Sequence, residues 1–499
     1  MIVPSPSSKR SIAMASKRSI AIVGAGFTGS VLAAHLLRNA EGPTTIHLIE
    51  RADTLGTGLA YSTANAAHLL NVRAYNMSAY PDDPRHFLRW LWSKDDGEAV
   101  PPSGHAFVSR ARYGAYIQDV LREARAEAPA HVALNTVRGE AVDLAVEEGS
   151  APGGRTGVRL RLGTGAKLDV DAVALCVGHF PPSPPPVPAP EVFASDRFIG
   201  DPWNAAVVSA IDPDAPVLIL GTGLTMVDVV LSLDNQGHRG PIVALSRRGL
   251  LPTTHVETRP FKSFVHPQVM PGTVLDVLIA LKADVRRARE EGYDWRAAFD
   301  ALRPYHPLIW KHLPLEERER FLRHARPYWE VHRHRMAPEV AARIDALRAN
   351  GRLAVRAGRL TDLALTPDGV EATVRARGGE DGTWTRTVGV IINATGTECD
   401  YGRIRHPLMQ ALLRRGLARP DPLRLGLDVT EEGALIGEDG AASDRLFALG
   451  PVSRAPFWEM TAVPELRSQC ANAARTLARA RPEGIASTTN VLARPRISR

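Results

Sequence analysis

The feature that most restricts how this chain folds is a unit that occurs twice: apolar strand, glycine turn, helix, second strand. The first copy opens with Ile20-Ala21-Ile22-Val23 and turns through Gly24, Ala25, Gly26, Phe27, Thr28 and Gly29. A helical stretch follows over Ser30 to Arg38, then a strand from Thr45 to Ile49 that ends at the acid Glu50. The second copy opens with Val217-Leu218-Ile219-Leu220 and turns through Gly221, Thr222, Gly223, Leu224, Thr225 and Met226. Its helix runs to Leu233 and its closing strand spans Ile242 to Leu245.

Each part has a physical reason. Gly24 permits the tight turn, Gly26 lets backbone approach a pyrophosphate, and Gly29 lets helix and strand pack closely. The helix start offers free N–H groups and the positive end of its dipole to phosphates. Glu50 is placed to accept a hydrogen bond from a ribose 2′-OH. In the second copy Met226 replaces the third glycine, and Ser246, Arg247 and Arg248 stand where the first has Glu50. A carboxylate beside the 2′ position repels a phosphate there, whereas Ser and two Arg attract one. The first site therefore suits FAD or NAD, and the second prefers NADPH to NADH. The alternative for Arg247-Arg248 is a solvated basic loop.

The copies match further along. Val158 to Leu162, Lys167 to Val170 and Ala172 to Val177 end at Gly178; Val370 to Arg375, Thr383 to Val388 and Val390 to Ala394 end at Thr395-Gly396. Both read as antiparallel meanders that return to the parent sheet. The fold class expected is α/β, with two Rossmann-like three-layer ββα dinucleotide-binding domains and a helical insert. At 499 residues with 44% hydrophobic and 23% charged residues, the chain has material for such cores. No apolar run reaches the ~18–20 residues of a membrane span, so no membrane association is expected. The net charge is +7, with only seven Lys among 61 basic residues. The densest basic stretch, Arg323 to Arg335, is interleaved with apolar residues and reads as a helix face, so no nucleic-acid partner is expected. Cys176, Cys399 and Cys470 are far apart, with no CxxC for zinc or thiol relay. A reducing cytoplasmic setting fits, and no metal site is expected. His324, His332 and His334 sit among Arg residues that repel cations.

Over roughly residues 18–480 the chain resembles the two-dinucleotide-binding flavoproteins, and more narrowly the FAD-NAD(P)-binding oxidoreductases related to class B flavin monooxygenases and N-hydroxylases. The matches beyond the glycine loops are Gly58-Leu59-Ala60-Tyr61, His68 to Val72, Pro81-Asp82-Asp83-Pro84, Asn393-Ala394-Thr395-Gly396, and Leu446 to Gly450 followed by Phe457 to Thr461. The resemblance implies an FAD domain over 17–200 and 397–485. An NAD(P)H domain over 205–396 is inserted in it, with a helical insert at about 270–350. Residues 1–16 read as a disordered extension, with Met14 a candidate start, and 486–499 as a flexible tail. Within the insert, Val274, Leu275, Leu278, Ile279 and Leu281 suggest a buried stripe. The insert either caps a substrate site or packs on the second sheet.

By the same resemblance, FAD is held by the first glycine loop, Glu50, Arg51, Asn71, Ser78, Val142, Gly178, Gly450, Thr461 and Ala462. NADPH is held by Gly221 to Thr225, Ser246 to Arg248 and Gly396. The helix from Thr461 points its N-terminus at the flavin pyrimidine. Where many relatives have Gly-Asp, this chain has Gly450-Pro451, so the ribityl contact must come from elsewhere. The chemistry implied is hydride transfer to the flavin, then hydroxylation of a small molecule with dioxygen through a flavin C4a-(hydro)peroxide. N-hydroxylation of an amine or amino acid is preferred. A reductase without oxygen insertion and a non-enzymatic nucleotide-binding regulator remain as alternatives. Asn71 is a candidate for a hydrogen bond to flavin N5 or a peroxide; the competing reading is a loop-structuring Asn. Glu459 is a candidate general base with a raised pKa if buried, or else a cap for the following helix.

Overall fold

A computed structural model describes residues 17–94, 102–151, 154–263, 271–377 and 382–479. The expectations for 1–16 and 486–499 concern residues outside this set.

The first glycine unit nucleates a six-stranded sheet in the order Ala434–Ile436, Ala442–Ala448, Ala172–Leu175, Arg18–Val23, Thr44–Glu50, Val132–Arg138. All pairings are parallel except that of Ala434–Ile436. Ile20 and Ile22 face one side and Ala21 and Val23 the other, as the two-residue strand period requires. On the first face lies the helix Phe27–Asn39, flanked by Arg110–Ala126 and Val463–Arg479. On the second lies a separate three-stranded sheet, Ala141–Ala151, Arg155–Leu162 and Lys167–Val170, with the helix Pro407–Arg414. This is a helix–sheet–sheet stack of three layers.

The second unit builds a seven-stranded sheet in the order Thr383–Val388, Gly369–Ala376, Leu353–Thr366, Ile242–Ser246, Val217–Leu220, Val390–Asn393, Phe198–Ile199. Here the meander is not detached. Leu353–Thr366 pairs in parallel with Ile242–Ser246, then passes a bulge between Leu360 and Asp362 and pairs antiparallel with Gly369–Ala376. The bulge re-aims the strand so that one element serves both layers.

The insert comprises helices Val274–Glu290, Trp295–Ala301, His306–His312, Leu315–Arg320 and Arg326–Arg333. The next helix, Pro338–Ala349, packs Val340, Ile344 and Leu347 on the second sheet and belongs to its layer. The stripe expected to be buried is not. Val274 is buried, but Leu275 and Ile279 are 62% and 58% exposed. At about 100° per residue the five positions sweep far more of the helix than one contact face covers. The packed face instead runs through Val274, Val277, Leu281, Asp284 and Ala288.

The chain crosses between the two sheets twice, and the crossings are tied. Phe180 and Glu398 form an isolated bridge, and the Asn393 amide donates to the Ser183 carbonyl at 2.9 Å. The Ser183 hydroxyl donates to the Glu398 carboxylate.

Candidate functional site

At the first loop Gly24 has φ +96°, and a Cβ there would lie 2.4 Å from the Cys176 carbonyl oxygen. A Cβ on Gly29 would lie 1.8 Å from the Gly24 carbonyl oxygen, so only glycine permits this helix–strand contact. Gly26 caps the helix with no side-chain partner, leaving the first-turn N–H groups for an anion. Not every loop residue faces a ligand. Phe27 packs against Tyr61 and Tyr113, Thr28 is buried, and the Ala25 N–H is taken by the Glu50 carboxylate at 2.7 Å. The other Glu50 oxygen accepts from Ala52 N–H at 3.0 Å. Glu50 thus braces the loop it faces.

A cavity of about 480 Å³ opens here, bounded by Gly24, Glu50, Arg51, Ala141 and the Pro181–Pro184 linker. Its size lies within the range of cofactor clefts. The Val142 side chain turns towards Gly163 rather than into the cavity; its neighbour Ala141 takes the lining position. Gly178 leads the chain past the cavity at φ +68° with open space at its Cβ position.

Ser78 does not present its hydroxyl to a ligand. It is fully buried and donates to its own loop, at Tyr80 O (3.1 Å) and Asp83 O (2.6 Å). The Asn71 carbonyl accepts from His255 Nε2 at 3.0 Å, so His255 pins the loop that carries Asn71. Burial pushes the His255 pKa down to about 4. At Gly450-Pro451 the hydrogen bonds close a ring: Gly450 N–H donates to Gln469, whose amide donates to the Ser453 hydroxyl, which donates back to the Gly450 carbonyl. A Cβ on Gly450 would meet the Thr28 hydroxyl at 2.9 Å, which places this ring against the first helix start.

In the second loop Gly221 has φ +109°, with the Ala394 carbonyl 2.2 Å from where a Cβ would be. Gly223 caps Leu224–Asn235 without a side-chain partner and faces open space. Met226 fills core instead of allowing close approach, and is fully buried. The Thr222 hydroxyl donates to Leu250 O at 2.6 Å and lies 2.9 Å from the Ser246 hydroxyl, which accepts from Gly249 N–H at 3.0 Å. Ser246 therefore shapes the loop. Arg247 is exposed, while Arg248 lies over the Tyr328 ring at 4.8 Å and donates to its hydroxyl at 2.9 Å. Arg377 reaches the Arg247 carbonyl at 3.3 Å. Tyr328 and Arg377 carry no local sequence signal, because only tertiary folding brings them to this loop. Gly396 has φ +101° with open space at its Cβ position.

Between the units lies a buried polar link that sequence reasoning missed. Arg110 pairs with Asp228 at 2.8 Å, and His68 lies 2.9 Å from the Asp228 carbonyl and 3.0 Å from the Ser232 hydroxyl. Burial raises the Asp228 pKa, opposed by Arg110 and His68.

Glu459 corrects the sequence expectation most sharply. It is buried, but its pKa is not raised. Burial pushes it up, yet His306 and Arg333 outweigh that and hold the carboxyl well below the usual carboxylate range. Trp329 Nε1 donates at 3.1 Å, Arg333 Nε at 2.8 Å, and His306 Nδ1 lies 3.1 Å away. A carboxylate so surrounded stays ionised and does not exchange a proton as a base near neutrality. It sits in an unusual turn. Trp458 has φ 62° and ψ −51°, and Glu459 N–H donates to Phe457 O at 2.7 Å across it, a γ-turn on a non-glycine residue. Such a conformation costs roughly 1–3 kcal/mol and persists only when its surroundings impose it. Thr461 and Ala462 follow at once and start the helix Val463–Arg479. The insert packs on this turn, which gives it contacts beyond the second sheet.

Among the described residues no group of three His, Cys, Asp or Glu is placed to hold a metal, and no helix is long and apolar enough to cross a membrane. Residues 21–180 match the family model described as FAD-NAD(P)-binding. The chain is 31% identical over 265 residues to an L-aspartate N-monooxygenase (nitrosuccinate-forming) of Streptomyces cremeus, covering 46% of this chain and 39% of the relative. It is 28% identical over 235 residues to a nitrosuccinic acid synthase of Aspergillus oryzae, covering 43% and 35%. The chain thus spans under two fifths of the length of either curated relative. Among solved structures it superposes on the reduced form of an ornithine hydroxylase of Pseudomonas aeruginosa with a TM-score of 0.61, at 15% identity over 93% of this chain and 99% of that one. The fold is that of the two-dinucleotide-binding flavoprotein N-hydroxylases.

Proposed function

We propose that this chain is an FAD-dependent, NADPH-using monooxygenase that oxidises the amino group of a small amino acid, with an acidic amino acid such as L-aspartate the first substrate to test. One observation carries the reading: two anion-ready glycine loops in one N-hydroxylase fold, one braced by Glu50 and one bordered by Arg247 and Arg248. The names of the two curated relatives support the reaction and substrate class.

The residues fit both groups. The cavity of about 480 Å³ beside Gly24 and Glu50 has room for an adenosine, and the uncapped helix start at Gly26 would hold its diphosphate. The open approach at Gly223 and the basic pair at 247–248 suit an adenosine carrying a 2′-phosphate. FAD supplies hydride acceptance from NADPH and the subsequent reaction with dioxygen. The chain would orient both: Glu50 holds the first loop's shape through Ala25 N–H, His255 fixes the Asn71 loop, and the Arg110–Asp228 pair ties the two units.

The test is NADPH oxidation by the flavin-loaded protein, with oxygen uptake, peroxide and substrate loss followed together. With L-aspartate, oxygen uptake matched by substrate loss and little peroxide is the expected result. Strict dependence on an added electron acceptor would make the protein a reductase. No NADPH oxidation under any condition would make it a binding regulator.

A further inference from the structure

The Trp458 γ-turn belongs to the flavin-side segment, yet what holds it comes from the insert. The Trp458 indole stacks on Trp310 with centroids 4.6 Å apart and planes at 28°, and Phe321 meets it edge-on at 5.0 Å. Trp310 also donates to the Ala455 carbonyl at 2.8 Å. All three side chains that face the Glu459 carboxylate, His306, Trp329 and Arg333, belong to the insert. A second grip lies one helical turn on, where Arg303 of the insert forms a two-point pair with Glu465 at 3.0 and 3.2 Å. Among the described residues only Arg424 and Trp458 adopt positive φ without being glycine. A tryptophan in that region relaxes unless something prevents it.

We infer that Glu459 is a positioning residue: by gripping the insert it keeps the Trp458 turn wound and fixes where the helix Val463–Arg479 begins. The turn spans only Phe457 to Thr461, so unwinding it displaces the first-turn N–H groups of that helix. That much is independent of the cofactor. The consequence for catalysis rests on the proposed flavin reading, in which that helix start faces the flavin ring. Docking of the insert would then set the electrostatic environment of the ring without touching it.

Two readouts separate the grip from its consequence. Indoles stacked at 4.6 Å give an exciton couplet in circular dichroism, which reports Trp310 on Trp458 with or without flavin. Glu459→Ala should halve the couplet or more, while Glu459→Gln, which keeps an oxygen facing Trp329 and Arg333, should restore most of it. An unchanged couplet in Glu459→Ala would overturn the grip. In the flavin-loaded protein, Glu459→Ala should lower kcat about tenfold, and Glu459→Gln should recover most of that loss. A lost couplet with unchanged kcat would overturn the positioning role. If Glu459→Ala does not fold, Trp329→Phe removes one donor and should give a smaller loss in both readouts; no loss in either overturns the proposal. If no flavin binds to any variant, the proposed function falls, and the couplet alone decides whether Glu459 grips the insert.

Discussion

The two glycine units share a plan and differ in how tightly each loop is used. In the first, Gly29 lets the helix lie directly against the loop carbonyl, and Glu50 gives one oxygen to the loop's Ala25 N–H and the other to Ala52 N–H. In the second, Met226 fills core where the third glycine would be, and Ser246 takes over the internal bracing. The first loop is therefore a rigid, negatively bordered seat. The second is a more open one, bordered by an exposed Arg247 and by Arg248 held over Tyr328. A prosthetic group that stays bound suits the former, and a coenzyme that comes and goes suits the latter.

The largest effect expected is at the tight contact. Gly29→Ala forces a Cβ to 1.8 Å from a backbone oxygen and should cost at least about 3 kcal/mol, with flavin lost on gel filtration. Met226→Ala should instead cost about 2–5 kcal/mol through the cavity it leaves and retain flavin. Chemical denaturation and flavin content measured on both variants would break the comparison if the two behaved alike. Next in size is the basic pair. Arg247→Ala with Arg248→Ala should lower the kcat/KM preference for NADPH over NADH about 10–100-fold, the worth of one or two charge-assisted hydrogen bonds. Equal loss for both coenzymes would mean that the pair does not read the 2′ position.

The smallest effect concerns the bond from His255 to the Asn71 loop. In the unfolded chain His255 takes a proton near pH 6.5, but in the fold only near pH 4. Between those values the unfolded state binds more protons, so this contribution is full above pH 6.5 and is lost as pH falls towards 4. His35, also pushed down to about 4 by burial, acts in the same window. The measurement is therefore a difference: His255→Gln should remove on the order of 1–2 kcal/mol of the stability lost between pH 7 and pH 5.

The strands and glycine turns were legible because they are local: Ile20–Val23 and Val217–Leu220 announce themselves by apolar runs ending in Gly-x-Gly. The side chains that complete the sites were not, because their roles come from partners far along the chain. Ser78 reads as a ligand-facing hydroxyl until Tyr80 and Asp83 are seen to hold it. Glu459 reads as a base until His306, Trp329 and Arg333 arrive from more than 120 residues away. Tyr328 over Arg248 has no sequence cue at all. Leu275 and Ile279 are the converse case: they are apolar yet exposed, because the helix turns only a narrow face inward and an apolar side chain does not by itself say which face that is.

The tied crossings have a mechanical consequence. Two peptide connections laced together at Phe180, Ser183, Asn393 and Glu398 act like paired leaves of a hinge. The tie is made by backbone and side chain together, so neither connection can shift without breaking bonds to the other. The Arg110–Asp228 pair adds a second tie away from the crossings, and removing either partner would leave a largely buried charge without its counter-ion, a larger penalty than the pair itself is worth.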